Sequence, residues 1–230
     1  ITPNGKFAYV TNSNNYGITG SDNVTVLNLR TKIPRQTIND PSFNQPYRIA
    51  IDCKGKYAYV CNSGSPSVTG TEGTLSIINL KTNTVCGTIP GFDGPGGIVI
   101  NKNIAYVTND GAAAGVGSGN GKTISVVDLK RKSIIDTITT SLAPSALKLS
   151  PCAKYLYVTC YVDGNPNTGT LNIISTRSNT VKHVIDGFFG PFDLDLTRCG
   201  NYAYVTNFGS NNFAPYGTTV AVVDLIDKCI

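Results

Sequence analysis

A five-residue motif, Ala-Tyr-Val-Thr-Asn, recurs along the chain and constrains its fold more than any other feature. Its tyrosines follow one another at intervals of 50, 47, 51 and 47 residues. The five copies are Ala8–Asn12, Ala58–Asn62, Ala105–Asn109, Leu156–Cys160 and Ala203–Asn207. A recurrence at roughly 40 to 50 residues is typical of repeat architectures in which each copy is one supersecondary unit.

Each repeat reads as four short strands, which we call A (inner) to D (outer). In the second repeat these are Tyr47–Ile51, Tyr57–Cys61, Leu75–Leu80 and Thr84–Ile89. Val, Ile, Thr and Tyr dominate these runs, and Gly, Pro and Asn separate them. We find no apolar pattern of helical period, so helices should be nearly absent. The sequence therefore predicts an all-β fold, a β-propeller of four-stranded antiparallel blades forming one domain over residues 1–230.

Five blades are visible, and the seam between the last and the first is incomplete. The first blade lacks strand A, and the last lacks strand D. Two interpretations stay open: a five-bladed ring with an imperfect seam, which we favour, and an arc from a larger ring in a longer chain. Either leaves strand edges that could recruit another chain.

The repeat resembles the YVTN β-propeller family. The matching segments are Gly5–Asn12, Gly55–Asn62, Gly200–Asn207, Thr123–Leu129 and Thr218–Leu225. The resemblance covers essentially the whole chain. It implies a propeller, often on microbial surfaces or outside the cell, and no particular activity.

The composition favours a location outside the cytoplasm. Charged residues make up 14% of the chain, below the roughly 25% of ordinary soluble domains. No apolar run approaches the ~20 residues of a membrane span. The chain opens without Met, so an expected leader could have been removed. We expect a secreted protein or one at the cell surface.

Charge is sorted between the two faces of the predicted disc. The B–C and D–A loops form what we call the top face, and the A–B and C–D turns form the bottom face. Acidic residues dominate the top loops, and lysine and arginine dominate the bottom turns. Such discs could stack head to tail into a filament or surface layer, or the bottom face could bind a polyanion such as a glycan.

Aromatic residues in the top-face loops form the predicted interaction surface. They are Tyr16, Phe92, Tyr161, Phe188, Phe208, Phe213 and Tyr216. Exposed aromatic rings among Gly, Asn and Ser suit contacts with proteins or sugars. The alternative is that these rings pack against their own loops.

Four charged residues fall on the strands predicted to line the axial channel. Aligned on the prolines that precede strand A, Arg48 and Asp193 share one level, and Lys148 and Asp195 share the next. Charges on an inner strand are costly unless paired or hydrated. They therefore indicate either a structural pair in a wet channel or a ligand site there.

The seven cysteines contain no CxxC spacing, which argues against a zinc ribbon or a thioredoxin-type site. A Cys199–Cys229 disulfide is the best candidate bridge and Cys53–Cys86 a weaker one, with free thiols as the alternative. The single histidine, His183, falls on an outer strand. We predict no catalytic residues, metal or cofactor.

The main functional interpretation is a non-enzymatic module for protein interaction or self-assembly, through the top-face loops or the open seam. One alternative is a propeller that binds a polyanion or glycan. The other is a propeller hydrolase or oxidoreductase with its site in the axial channel.

Overall fold

A computed structural model describes residues 1–13, 22–64, 73–111, 121–162, 165–209 and 219–228, and for residues 162 and 165–168 it describes the backbone only. The described residues form 18 β-strands in five antiparallel sheets and contain no helix. The predicted all-β propeller of four-stranded blades is confirmed. Tyr16, Phe213, Tyr216 and Cys229 lie outside the described residues.

Each sheet is one blade, and its strands follow one another in chain order. The first blade comprises β1 (Phe7–Asn12), β2 (Asn23–Asn28) and β3 (Ile33–Asn39). The second comprises β4 (Pro46–Ile51), β5 (Tyr57–Asn62), β6 (Gly73–Asn79) and β7 (Thr84–Phe92). The third comprises β8 (Pro95–Asn101), β9 (Ile104–Asn109), β10 (Thr123–Asp128) and β11 (Ser133–Thr139). The fourth comprises β12 (Ala143–Leu149), β13 (Tyr155–Val162), β14 (Asn165–Ser175) and β15 (Thr180–Phe188). The fifth comprises β16 (Pro191–Leu196), β17 (Tyr202–Asn207) and β18 (Thr219–Asp224).

The turn from strand C to strand D is built alike in the five blades. A polar side chain closes strand C and accepts a hydrogen bond from the turn backbone, two residues on in four blades, as Asn28 Oδ1 does from Arg30 N at 3.0 Å and Asp128 Oδ1 from Lys130 N at 2.9 Å. In the fourth blade Ser175 Oγ accepts from Ser178 N, three residues on, at 3.4 Å. Four residues after the residue that closes strand C, the backbone takes a positive φ between 51° and 59°. Lys32, Asn83, Lys132, Asn179 and Lys228 occupy this position.

The hydrophobic core lies between the blades in four clusters, one for each pair of successive blades. The motif supplies it from both sides of strand B. In the second blade, for example, Tyr59 is 4% exposed and Val60 fully buried, because neighbouring motif residues point to opposite faces of the sheet. The repeated Tyr-Val pair is therefore a packing unit rather than a binding motif.

The outer faces of the two terminal blades are uncovered. Val10 in the first blade is 45% exposed, although Val60 and its other counterparts are buried. Tyr204 in the fifth blade is 47% exposed, although the motif tyrosines of the first four blades are buried. The favoured interpretation of a five-bladed ring predicts that these two faces cover each other, and they do not.

The part of the chain that the structure describes contains no helix that could cross a membrane.

Candidate functional site in the axial channel

The inner strands β4, β8, β12 and β16 each contact the next along the chain, on the side of the molecule where the axial channel is predicted. Charged side chains from the second, fourth and fifth blades meet there. Arg48 Nη1 on β4 lies 3.2 Å from Asp193 Oδ2 on β16, and these strands belong to blades that are not consecutive. The pair therefore joins two sides of the channel.

A second ion pair lies one level along the same strands. Lys148 Nζ on β12 lies 3.2 Å from Asp195 Oδ1 on β16, as the alignment on the prolines suggested. The hydrogen bond from Lys148, helped by one from the Leu196 backbone, holds the pKa of the Asp195 carboxyl below its ordinary value of 3.8. Asp195 is therefore a carboxylate at neutral pH. The four charged residues thus form two ion pairs, Arg48–Asp193 and Lys148–Asp195.

The ring of Tyr47 completes this charge cluster, and the sequence analysis did not single it out. The guanidinium carbon of Arg48 lies 5.9 Å from the centre of the Tyr47 ring, within the range of a cation–π contact. The available sequence signal for this contact was that Tyr47 immediately precedes Arg48. The contact restricts where the guanidinium can move, which favours a fixed position for any anion it binds.

The threonine of the motif fixes the position of these inner strands. Thr11 Oγ1 donates to Tyr47 O at 2.6 Å, and Thr108 Oγ1 donates to Ser145 O at 3.1 Å. In each case the acceptor belongs to the inner strand of the next blade. The same Thr108 oxygen accepts a hydrogen bond from Gly97 N of its own blade at 2.6 Å. The hydroxyl therefore ties successive inner strands together and sets the channel geometry.

The predicted aromatic surface needs correction at Phe92 and Phe188. They are 2% and 1% exposed and belong to the core between blades. The cause is that strands β7 and β15 run on past the expected end and pair there with Gly73 and Gly169 of strand C. This pairing turns the two rings inward.

Two other aromatics of the predicted surface are described. Phe208 is 56% exposed, and its ring centre lies 5.9 Å from that of Phe192. Tyr161 is half-buried. The continuous aromatic top face is therefore reduced to scattered positions among the described residues.

The expected disulfides are not formed. Cys199 is a free, exposed thiol, and so are Cys53 and Cys86. The Cys199 thiol instead donates to Thr197 Oγ1 at 3.4 Å within its own turn. Because all six described cysteines are free, they carry no argument for an oxidising compartment.

The described residues contain no cluster of three or more His, Cys, Asp or Glu side chains that could hold a metal ion. His183 lies on the outer strand β15, where its Nε2 is 2.9 Å from Lys228 Nζ. Its place at the rim separates it from the channel charges.

The charged side chains in the channel can bind and orient a charged molecule through Arg48, Lys148, Asp193 and Asp195.

No family model and no curated protein sequence matches the chain. Solved structures do match. Hydrazine synthase from Kuenenia stuttgartiensis is similar over 98% of this chain and 61% of its own, with 22% identity and a TM-score of 0.76. A protein of unknown function from Desulfotomaculum acetoxidans is similar over 98% of this chain and 67% of its own, with 15% identity and a TM-score of 0.69. The dihydro-heme d1 dehydrogenase NirN in complex with DHE is similar over 81% of this chain and 38% of its own, with 14% identity and a TM-score of 0.59. The chain thus spans less than two thirds of the hydrazine synthase chain.

These matches correct the main functional expectation. The sequence analysis favoured a non-enzymatic module for interaction and assembly, whereas two of the named propeller neighbours are enzymes.

Proposed function

We propose that this chain is the propeller part of an oxidoreductase that binds a small charged substrate in its axial channel. One observation carries the proposal: two ion pairs on three inner strands, Arg48–Asp193 and Lys148–Asp195, meet at the same channel. The likeness to hydrazine synthase and to a dehydrogenase supports the class of reaction.

The ion pairs are suited to exchange partners with a ligand. Their side chains are 30% and 44% exposed in the first pair and 43% and 79% in the second. Pairs this accessible contribute only about 0 to 1 kcal/mol to stability. A substrate carboxylate can therefore replace Asp193 on Arg48 at little cost and gain a two-point contact with the guanidinium.

Each charge has a role in this binding. Arg48 and Lys148 receive the anionic part of the substrate, and Arg48 is held in place by the Tyr47 ring. Asp195 is ionised, so it accepts a hydrogen bond from a protonated amine or hydroxyl of the substrate. Asp193 Oδ1 accepts from Leu194 N at 2.9 Å, which fixes the carboxylate that must release Arg48.

The described residues do not supply an iron site at the channel, although one structural neighbour is named a dihydro-heme d1 dehydrogenase. The chain has no Met, and its one His is at the rim. Burial raises the pKa of the Cys61 and Cys160 thiols, so they are poor iron ligands. We therefore derive no step through a heme and assign to these residues substrate binding and orientation.

The binding step is tested by titrating the protein with succinate while following the backbone amide signals of the channel by NMR. We expect saturable shifts at Ala50 and Leu194. The double variant Arg48→Gln, Asp193→Asn removes one pair without changing net charge, and it should weaken binding at least about tenfold.

The matched control is Arg131→Gln, Asp128→Asn, which removes the ion pair of a bottom-face turn. It should bind succinate like the unmodified protein. Absent shifts in the unmodified protein, or equal affinity in the channel variant, would contradict the proposal.

A further inference from the structure

A second candidate site lies away from the channel, in a pocket of about 630 Å³ between the second and third blades. We call it the interblade pocket. It opens among the A–B and C–D turns of the bottom face. Its described lining includes five lysines: Lys54, Lys56, Lys102, Lys130 and Lys132. This volume falls within the roughly 300 to 1,000 Å³ of small-molecule sites.

The other gaps between blades are bridged at the corresponding place. The C–D turn residue at positive φ contacts strand D of the preceding blade. Asn83 Nδ2 donates to Gln36 Oε1 at 3.1 Å, Asn179 Nδ2 donates to Asp136 Oδ2 at 2.7 Å, and Lys228 Nζ lies 2.9 Å from His183 Nε2. Three of the four gaps are therefore closed by a side-chain contact.

The gap between the second and third blades has no such bridge, because strand D carries a glycine at this position. Gly87 aligns with Gln36, Asp136 and His183. A Cβ built on Gly87 would lie 3.2 Å from Lys132 Nζ, so the ammonium occupies the space that a partner side chain fills in the other blades. A glycine opposite a lysine was the available sequence signal, whereas the charge pattern alone assigned these lysines to a basic face.

At Tyr59, too, a lysine of the next blade stands where the first gap has an asparagine. In the first gap, Tyr9 Oη donates to Asn83 Oδ1 at 2.6 Å. Tyr59 is its counterpart and lines the interblade pocket, where Lys132 replaces the asparagine. Burial raises the pKa of Tyr59 to about 12, so its hydroxyl keeps its proton and can donate to an anion.

The charge of the interblade pocket is strongly positive. The one carboxylate in its described lining, Asp52, accepts hydrogen bonds from the backbone nitrogens of Lys56 and Tyr57 at 2.9 and 3.0 Å and is thereby held within its own turn. Among the residues that the structure describes, none of the five lysines is in an ion pair with an acid. Several like charges around one concave site attract anions and raise their local concentration.

We propose that the interblade pocket binds a small phosphorylated molecule, with its phosphate groups on Lys132 and the neighbouring lysines. Tyr57, Ile77 and Leu129 offer apolar surface for the remainder of such a molecule. This site goes beyond the function proposed for the channel and does not depend on it.

Calorimetric titration with ATP and with inorganic tripolyphosphate, at low and at physiological salt, tests the proposal. The variant Lys132→Asn keeps a residue that accepts positive φ and recreates the asparagine found at positions 83 and 179. It should fold normally and weaken binding of both probes at least about tenfold.

Lys32→Asn is the matched control, because Lys32 holds the same turn position in the first blade and does not line the interblade pocket. It should leave the affinity unchanged. Failure of both probes to bind, equal binding by Lys132→Asn, or an equal loss in Lys32→Asn would overturn the proposal. A gain in affinity for ATP over tripolyphosphate would show that the apolar surface contributes as proposed.

Thiol labelling gives a second, independent readout. Cys53 and Cys86 line the interblade pocket, whereas Cys152 and Cys199 are exposed on the equivalent bottom turns of other blades. Bound tripolyphosphate should slow the alkylation of Cys53 and Cys86 at least about threefold, as mass spectrometry of peptides would show, and leave Cys152 and Cys199 unaffected. Equal protection of all four thiols, or of none, would overturn the site.

Discussion

The asparagine that ends the motif ties strand B to strand C within a blade. Asn109 Nδ2 donates to Thr123 Oγ1 at 3.0 Å and to Ser125 Oγ at 2.9 Å. The fourth blade has Cys160 in this position, and there Asn172 on strand C donates to Thr170 Oγ1 of the same strand at 2.9 Å. The strand C hydroxyl thus keeps an amide donor, but that donor lies on strand C itself and does not tie it to strand B.

Replacement of Asn109 by Ala should lower the free energy of unfolding by about 1 to 3 kcal/mol, because the buried Ser125 hydroxyl and the half-buried Thr123 hydroxyl lose a donor. Asn12→Ala is the control, since Asn12 makes the same kind of contacts at an exposed position. Its cost should stay below about 0.5 kcal/mol. Urea unfolding followed by circular dichroism measures both, and equal costs would contradict the role of burial.

The Asp195 carboxyl should titrate below 3.8, because Lys148 stabilises its charged form. Its contribution to stability is then fully present above about pH 4 and is lost as the pH falls through the depressed pKa. Lys148→Met should raise this pKa toward the ordinary value, as carboxyl-carbon NMR would show. Lys182→Met, on the outer strand, should leave it unchanged; a shift there as large as in Lys148→Met would contradict the pairing.

At the scale of elements, the threonine hydroxyls hold consecutive blades in register. Thr108 reaches the inner strand of the next blade, whereas Thr206, in the last blade described, donates to Asp193 O of its own blade at 3.2 Å. The second blade has Cys61 at this position, fully buried, and it lacks the hydroxyl. The threonine hydrogen bond between the inner strands of successive blades is therefore present in some blades and missing in others.

Thr108→Val keeps the side-chain volume and removes a buried hydroxyl that both donates and accepts. We expect a loss of about 1 to 3 kcal/mol in the free energy of unfolding. Thr206→Val, which breaks contacts classed as exposed, should cost under about 0.5 kcal/mol. Thermal unfolding of the two variants side by side makes the comparison, and a greater loss in Thr206→Val would contradict it.

The strand boundaries could be predicted from the sequence where the turns between strands carry local signals. Strand C is closed by Asn28, Asn79, Asp128, Ser175 and Asp224, and strand D begins where these turns end. The extension of β7 and β15 was not predictable, because Gly91 and Gly187 read as loop residues. Their positive φ values of 95° and 98° instead let the strand continue to Phe92 and Phe188.

At the scale of the whole molecule, stability comes from the contacts between successive blades. Every buried cluster lies between two neighbouring blades, so each blade depends on those beside it. The number of blades could be predicted from the five motifs. Whether the faces of the first and last blades meet could not be predicted, because ring closure depends on the angle between blades and not on the residues within a single blade.

The uncovered face of the fifth blade predicts unequal costs at equivalent tyrosines. Tyr157→Ala removes a ring that is 5% exposed between the fourth and fifth blades, and it should cost about 3 to 5 kcal/mol. Tyr204→Ala removes a ring that is 47% exposed, and it should cost under about 1 kcal/mol. Urea unfolding distinguishes them; similar losses would show that Tyr204 is covered in solution.

The central claim is that the axial channel is the substrate site of an oxidoreductase. Its most direct test is substrate-dependent reduction of an artificial electron acceptor by the full protein with any cofactor it carries, using small carboxylates and amines as substrates. The account predicts turnover whose kcat/KM falls at least about tenfold in Arg48→Gln, Asp193→Asn and is unchanged in Arg131→Gln, Asp128→Asn. Absence of substrate-dependent reduction, or equal kcat/KM in both double variants, would contradict it.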